Sequence, residues 1–169
     1  MMKAAEDHDR RLYTKLERGR VYHFQDWPNP AIPLISAGVY TVWSDATLIY
    51  VGMAGRSLNA TDVMRLRSQG GKPTGLFSRL NSHVSGRRSG DQFCIYVGDR
   101  FVMRTLRPRQ IASIAAGKLS LDRLVQSYIH QHLSYRFIET PDGKTAFRIE
   151  SSIRRGALSA GKPLLNAAR

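Results

Sequence analysis

The sequence predicts an α+β domain built on a small central antiparallel sheet, with three core strands, room for an extra hairpin, and helices packed around it. Three observations carry that prediction. Residues 38–43 and 48–53 are short runs rich in β-branched and aromatic side chains, and they flank the turn signal Ser44-Asp45-Ala46-Thr47. Helical spacing follows in residues 75–86 and again after Ser120. Strand and helix signals do not alternate regularly, which argues against a parallel βαβ sheet. At 169 residues with 42% hydrophobic content, the chain is long enough for one core.

Residues 4–18 read as a surface helix, with Leu12 and Leu16 one turn apart. Pro28, Pro30 and Pro33 make residues 26–33 an extended connector. Residues 1–36 therefore form an N-terminal helical arm and Pro-rich connector, and the domain proper spans 37–169. The 38–53 hairpin comes next. Residues 54–75 are polar, with Gly70-Gly71 and Pro73 near their end, and read as a loop with one helical turn at 62–67. Leu76, Phe77, Leu80 and Val84 form the apolar stripe of a helix. Residues 92–98 read as a third strand, with Cys94 as a small buried hydrophobe within it.

A short helix is expected at 109–116. Ser120 then caps a clearer one, with Leu121, Leu124, Val125, Tyr128 and His132 on its core face. Pro141-Asp142-Gly143 is a second hairpin signal between strands at 135–139 and 144–149. A last helix covers roughly 147–157. Residues 99–144 fall outside the motifs described below and count as an insertion.

Charge bounds the partners. Lys+Arg number 26 against 13 Asp+Glu, a net charge of +13, and 20 of the 26 are Arg. Guanidinium groups bind phosphate in a two-pronged way that lysine cannot match, so this excess favours a nucleic-acid partner. The single cysteine excludes an intramolecular disulfide. The first 20 residues are charged throughout, and no apolar run reaches the length of a membrane span. No membrane association is expected, and the cytoplasm is the expected compartment.

The hairpin contains Gly38-Val39-Tyr40, nine residues, and then Tyr50-Val51-Gly52. Arg79 and His83 follow at i, i+4 on one helix face. Further on come Glu150, within a helical segment, and Pro163-Leu164-Leu165-Asn166. In this order the chain resembles the GIY-YIG endonuclease superfamily over about residues 37–98 and 145–166. The resemblance implies a metal-dependent endonuclease that hydrolyses DNA phosphodiesters at one Mg²⁺ or Mn²⁺. It implies Glu150 as the sole protein ligand of that metal, Tyr40 as general base, Tyr50 and Arg79 on the phosphate, and Asn166 orienting the site. His83 is placed to assist Tyr40 or act as base itself, since imidazole titrates near neutrality. The chain departs from the family at Met53, where lysine is frequent, and in a longer 54–74 loop. Arg56 is a candidate for the missing charge.

The scarcity of acids agrees with one metal. Between residues 38 and 110 only Asp45, Asp62, Asp91 and Asp99 occur, with no paired carboxylate motif. Sharing a site also sets a register condition. Tyr40 and Tyr50 can share a sheet face only if the hairpin loop has an odd residue count, such as Ser44-Asp45-Ala46, and an odd register with a bulge is expected.

Arg56, Arg65, Arg67, Lys72, Arg87 and Arg88 flank the site in sequence and are the candidate phosphate contacts, for DNA or alternatively RNA. His130 and His132, two apart on a helix, point in different directions and do not form a metal pair. Each site residue also has a plain structural role open to it: the tyrosines as strand aromatics, Arg79 and His83 as a solvated helix edge, Glu150 as an ion-pair partner of Arg154. Two further readings stand beside the nuclease. One is an inactive module of the same fold that binds DNA or RNA without cutting; the other is a basic surface for an acidic protein. A single small module acts by nicking or as a homodimer.

Overall fold

The computed structural model describes residues 2–166, with side chains from residue 9 onward. It is α+β. Helix α1 (Met2–Arg18) leads into the two-residue strand β1 (Tyr22–His23). The long strand β2 (Ile35–Ser44) and β3 (Thr47–Ala54) form the hairpin, and β5 (Leu133–Thr140) pairs with the other edge of β2. The antiparallel order is β1-β5-β2-β3, and a two-residue β4 (Thr74–Gly75) pairs parallel with the start of β2.

Both faces of the sheet are covered, which is why β2 is buried along almost its whole length. On one face Tyr40, Val42, Ile49 and Tyr135 pack under α3 (Leu76–Val84), α4 (Gln92–Val97) and α6 (Leu121–His132). On the other, Val39, Trp43, Leu48, Val51 and Ile138 pack against Leu16 of α1 and Ala146, Ile149 and Ile153 of α7 (Gly143–Arg154). The arm and connector thus join the same cores. Leu16 and Phe24 are fully buried, and buried Thr41 donates to the Leu16 carbonyl at 2.7 Å while accepting from the Trp43 indole at 2.9 Å. Residues 99–144 supply β5, the third core strand, together with α5 (Pro108–Ala115), which has no buried residue.

Four local expectations are corrected. Residues 92–98 are not a strand: Asp91 caps α4 by accepting from the amides of Phe93 (3.0 Å) and Cys94 (3.4 Å), and the cap overrides the β propensity of Phe-Cys-Ile-Tyr-Val. Residues 144–149 are not a strand either. Asp142 caps α7 by accepting from Thr145, so the Pro-Asp-Gly signal ends β5 and starts a helix. The single turn expected at 62–67 is a full helix α2 (Ala60–Ser68), capped by Asn59. His132 is exposed against the Tyr128 ring, and Val125 and Ile129 fill the core face of α6. No helix among the described residues is long and apolar enough to cross a membrane.

Candidate active site

The β2–β3 turn has two residues, Asp45 and Ala46, with Asp45 in the left-handed region at φ 50°. Such a turn alone would pair Val42 with Ile49 and set Tyr40 and Tyr50 on opposite faces. A bulge between Val42 and Trp43 supplies the odd residue: Trp43 pairs with Leu48 but Val42 pairs with Tyr50 and Tyr40 with Gly52. Tyr40 and Tyr50 therefore share a face, their ring centroids 6.3 Å apart.

The glycines of the two tripeptides have separate steric roles. A Cβ on Gly52 would lie 2.2 Å from the Tyr40 hydroxyl, so the phenol occupies the space a side chain would need. A Cβ on Gly38 would meet the Ile138 carbonyl at 2.2 Å and the Leu76 side chain at 2.5 Å, so glycine admits both β5 and α3. At the start of α3, Gly75 takes φ 86° with the Ser36 carbonyl against it, and the helix then projects Arg79 and His83 toward the tyrosines.

His83 is 1% exposed and lies between two oxygens. Its Nε2 is 2.6 Å from the Tyr40 hydroxyl and its Nδ1 is 2.6 Å from Asp91 Oδ2. Ser82 donates to the same Oδ2 at 2.9 Å, while Asp91 Oδ1 takes the two α4 amides. The result is a buried chain, Asp91–His83–Tyr40, with the Phe93 ring packed at a tilt against the imidazole, centroids 4.5 Å apart. Burial would raise the Asp91 carboxyl, but the hydrogen bonds from His83, Ser82 and the Cys94 amide outweigh it and hold the group below 3.8. Burial lowers His83 below 6.5 despite the opposing pull of Asp91, and so favours the neutral ring. Burial also raises Tyr40 well above 10, reinforced by Tyr50, and the Arg79 charge only partly offsets it. This runs against the simple idea that nearby positive charge makes Tyr40 a ready phenolate. Tyr50, half-buried, is pushed up to about 12 by burial and the Asp91 charge.

Arg79 is exposed, and its charge bears on Tyr40, Tyr50 and His83 together. Glu150 comes from α7, on the far side of the edge strand β3, and its charge is felt at both phenols. The residue is 8% exposed. Burial raises its carboxyl above 4.5, outweighing Arg154, which stands at 3.5 Å, the outer limit of a hydrogen bond, together with the Ser151 hydrogen bond and the Arg56 charge. A mostly buried carboxylate whose nearest cation lies at the limit of contact suits a divalent cation, so Glu150 fits a metal ligand. Arg56 stacks on Phe147, one turn before Glu150, and its charge also acts on that carboxylate.

Asn166 touches main chain rather than the tyrosines. Its amide accepts from Val51 N–H at 2.6 Å and donates to the Val51 carbonyl at 2.9 Å. Leu164 and Leu165 bond Leu48 and Ile49 alongside it, so residues 164–166 line the open edge of β3 next to Tyr50.

No protein-family model, curated protein or solved structure matches the chain.

The six candidate phosphate contacts divide in two. Arg65 pairs with Asp62, Arg88 with Asp122, and Arg67 bonds both Glu139 and the Ile35 carbonyl, each at 2.8 Å. Arg56, Lys72 and Arg87 are exposed and form no ion pair among the described residues.

Sequence reasoning missed Asp91. It lies eight positions beyond His83, across a loop, at no motif spacing. The available signal was an acid preceding an apolar run, which marks a helix cap. Among the described residues, one group has three metal-ligand side chains in reach of one another: His83, Asp91 and Cys94. Both His83 nitrogens are already engaged, and burial pushes the Cys94 thiol up, so this is a hydrogen-bonded cluster rather than a metal cage.

Proposed function

We propose that this chain is a metal-dependent endonuclease that hydrolyses DNA phosphodiesters by the one-metal chemistry of the GIY-YIG superfamily it resembles. The observation that carries this reading is the convergence of Tyr40, Tyr50 and His83 on one sheet face of a strongly basic chain, with the charge of Arg79 and that of Glu150, from α7 on the opposite face, both acting on the two phenols.

The reaction needs a deprotonated water, a neutralised phosphoryl group and an in-line geometry. Tyr40 donates its proton to His83 and keeps an oxygen lone pair free to accept from the attacking water, so it serves as base with His83 assisting. Arg79 and the Tyr50 hydroxyl bind the scissile phosphate. Asn166 keeps β3, and so Tyr50, in position. Glu150 would hold Mg²⁺ or Mn²⁺, and a bound divalent cation supplies Lewis-acid neutralisation of the phosphoryl and leaving oxygens.

A second reading is a module that binds DNA or RNA without cutting. It is favoured by the 1% exposure of Tyr40 and by a half-buried Met53 where the family often has lysine. Plasmid nicking separates the two. With Mg²⁺ or Mn²⁺ the wild type relaxes supercoiled plasmid, whereas Glu150→Ala and EDTA controls do not. Gel shifts by both proteins with cleavage by neither would replace the nuclease with the binder.

A further inference from the structure

We propose that Asp91 is a positioning residue of this site: by holding Nδ1 of His83 it leaves Nε2 open to receive the Tyr40 proton, making Tyr40 a conduit rather than the proton's resting place. The catalytic consequence rests on the nuclease reading; the tautomer does not.

Donors and acceptors fix the ring's tautomer. A carboxylate only accepts, so the 2.6 Å contact between Asp91 Oδ2 and His83 Nδ1 requires a proton on Nδ1. A neutral ring with its proton on Nδ1 has a bare Nε2. The 2.6 Å contact to the Tyr40 hydroxyl is then a bond in which tyrosine donates. Each link is fixed from outside. Two α4 amides and the Ser82 hydroxyl clamp the carboxylate, Phe93 packs on the imidazole, and the absent side chain of Gly52 makes room for the phenol.

Direction follows from energetics. A buried phenolate beside Tyr50 and two carboxylates is unfavourable, so Tyr40 cannot wait in its ionised form. It can pass a proton through. As the water oxygen attacks phosphorus, one water O–H bond breaks and its proton joins the Tyr40 oxygen. In the same step the phenolic proton moves to His83 Nε2, and the phosphorus bond to the leaving sugar oxygen breaks with its electron pair staying on that oxygen, which then takes a proton from solvent water. One proton has left the water and sits on the imidazole. The charge gained there is matched by Asp91, which stays ionised. The logic is that of an acid–imidazole–hydroxyl triad, with a water beyond the hydroxyl in place of a direct nucleophile.

Asp91→Asn tests this without removing the helix cap. The Phe93 and Cys94 amides can be met only by the asparagine carbonyl, which turns the NH₂ toward His83. That group donates to Nδ1, drives the ring proton to Nε2 and opposes proton transfer from Tyr40. The expected result is a single-turnover cleavage rate lower by about 100-fold or more, with DNA affinity and thermal midpoint little changed. ¹⁵N NMR of the imidazoles gives an independent reading, with His83 assigned by the resonances lost in His83→Gln. The wild type should show the proton on Nδ1, and Asp91→Asn on Nε2. A wild type protonated on Nε2, or an Asp91→Asn variant that cuts at the wild-type rate, overturns the proposal. If the wild type cuts no DNA, the nuclease reading falls with the catalytic step, while the tautomer exchange still establishes Asp91 as the residue that sets the ring.

Discussion

The hydroxyl of Tyr40 lies over Gly52, its cross-strand partner, in the space that a methyl group at position 52 would fill. Gly52→Ala must therefore move the ring or the strand. The expected cost is about 1–3 kcal/mol of stability from overpacking. The Tyr40–His83 bond should also be lost, so cleavage should fall further than folding does. Thermal unfolding and single-turnover cleavage measured together check this, and a variant that cuts at the wild-type rate contradicts the arrangement.

The two tyrosines should respond differently to removal of their hydroxyls. Tyr40→Phe leaves His83 Nε2 buried without its donor and breaks the path for the water's proton, so both stability and cleavage should drop. Tyr50 is half-buried, and its removal should weaken phosphate binding with little effect on folding. Cleavage rate, DNA affinity and thermal midpoint for the pair distinguish these roles. A larger rate loss in Tyr50→Phe than in Tyr40→Phe would exchange them.

Acid should destabilise the fold through His83. Burial lowers its folded value below 6.5, so the unfolded chain takes up a proton that the folded chain refuses. Its neutral burial costs nothing above pH 6.5, and stability declines as pH falls from there toward the folded value. Asp91, held below 3.8, adds a loss of the same sign at more acid pH. The thermal midpoint of the wild type minus that of His83→Gln should fall between pH 7 and pH 5. A difference independent of pH would mean that the imidazole is not buried in its neutral form.

Thr41→Val tests the attachment of α1. The substitution removes the acceptor of the Trp43 indole and the donor to the Leu16 carbonyl, both buried. About 1–3 kcal/mol should be lost. Denaturant titration gives the value, and hydrogen exchange along α1 shows whether the loss is concentrated there.

Salt dependence should sort the basic residues. Replacing Arg56, Lys72 or Arg87 by Ala should each flatten the slope of log affinity against log salt by about 0.9 if the residue meets a phosphate. Arg65 and Arg67, already paired with Asp62 and Glu139, should change the slope less. Equal effects at all five positions would show that these ion pairs open on binding.

Local periodicity made much of the site readable from sequence. The hairpin, the i, i+4 step from Arg79 to His83 and the helical setting of Glu150 all follow short-range rules, and the structure places the charges of Arg79 and Glu150 on the same two phenols. What the sequence hid was decided elsewhere. Residues 92–97 have the composition of a strand, and only the carboxylate of Asp91, together with burial under neighbouring elements, makes them helical. Asp91 joins His83 because α3 and α4 pack together, a contact without a spacing signature. Sequence likewise gives no sign that Glu139, 72 positions away, lies beside Arg67, a candidate phosphate contact.

The bulge at the β2–β3 hairpin limits how this site can change over time. Both faces of β3 are apolar and buried, so hydrophobicity alone scarcely distinguishes Tyr50 pointing one way from Val51 pointing the same way. With turn and bulge unchanged, inserting or deleting one residue within a strand between Tyr40 and Tyr50 would exchange the two, leaving a foldable sheet that has sent its second phenol to the wrong side. Two residues added together would leave the pairing intact. The distance between the tyrosines is thus free in length, with its parity tied to turn and bulge: descendants of this chain can lengthen or shorten the strands in steps of two and keep the site, while an odd step keeps it only with a compensating residue in the turn or the bulge.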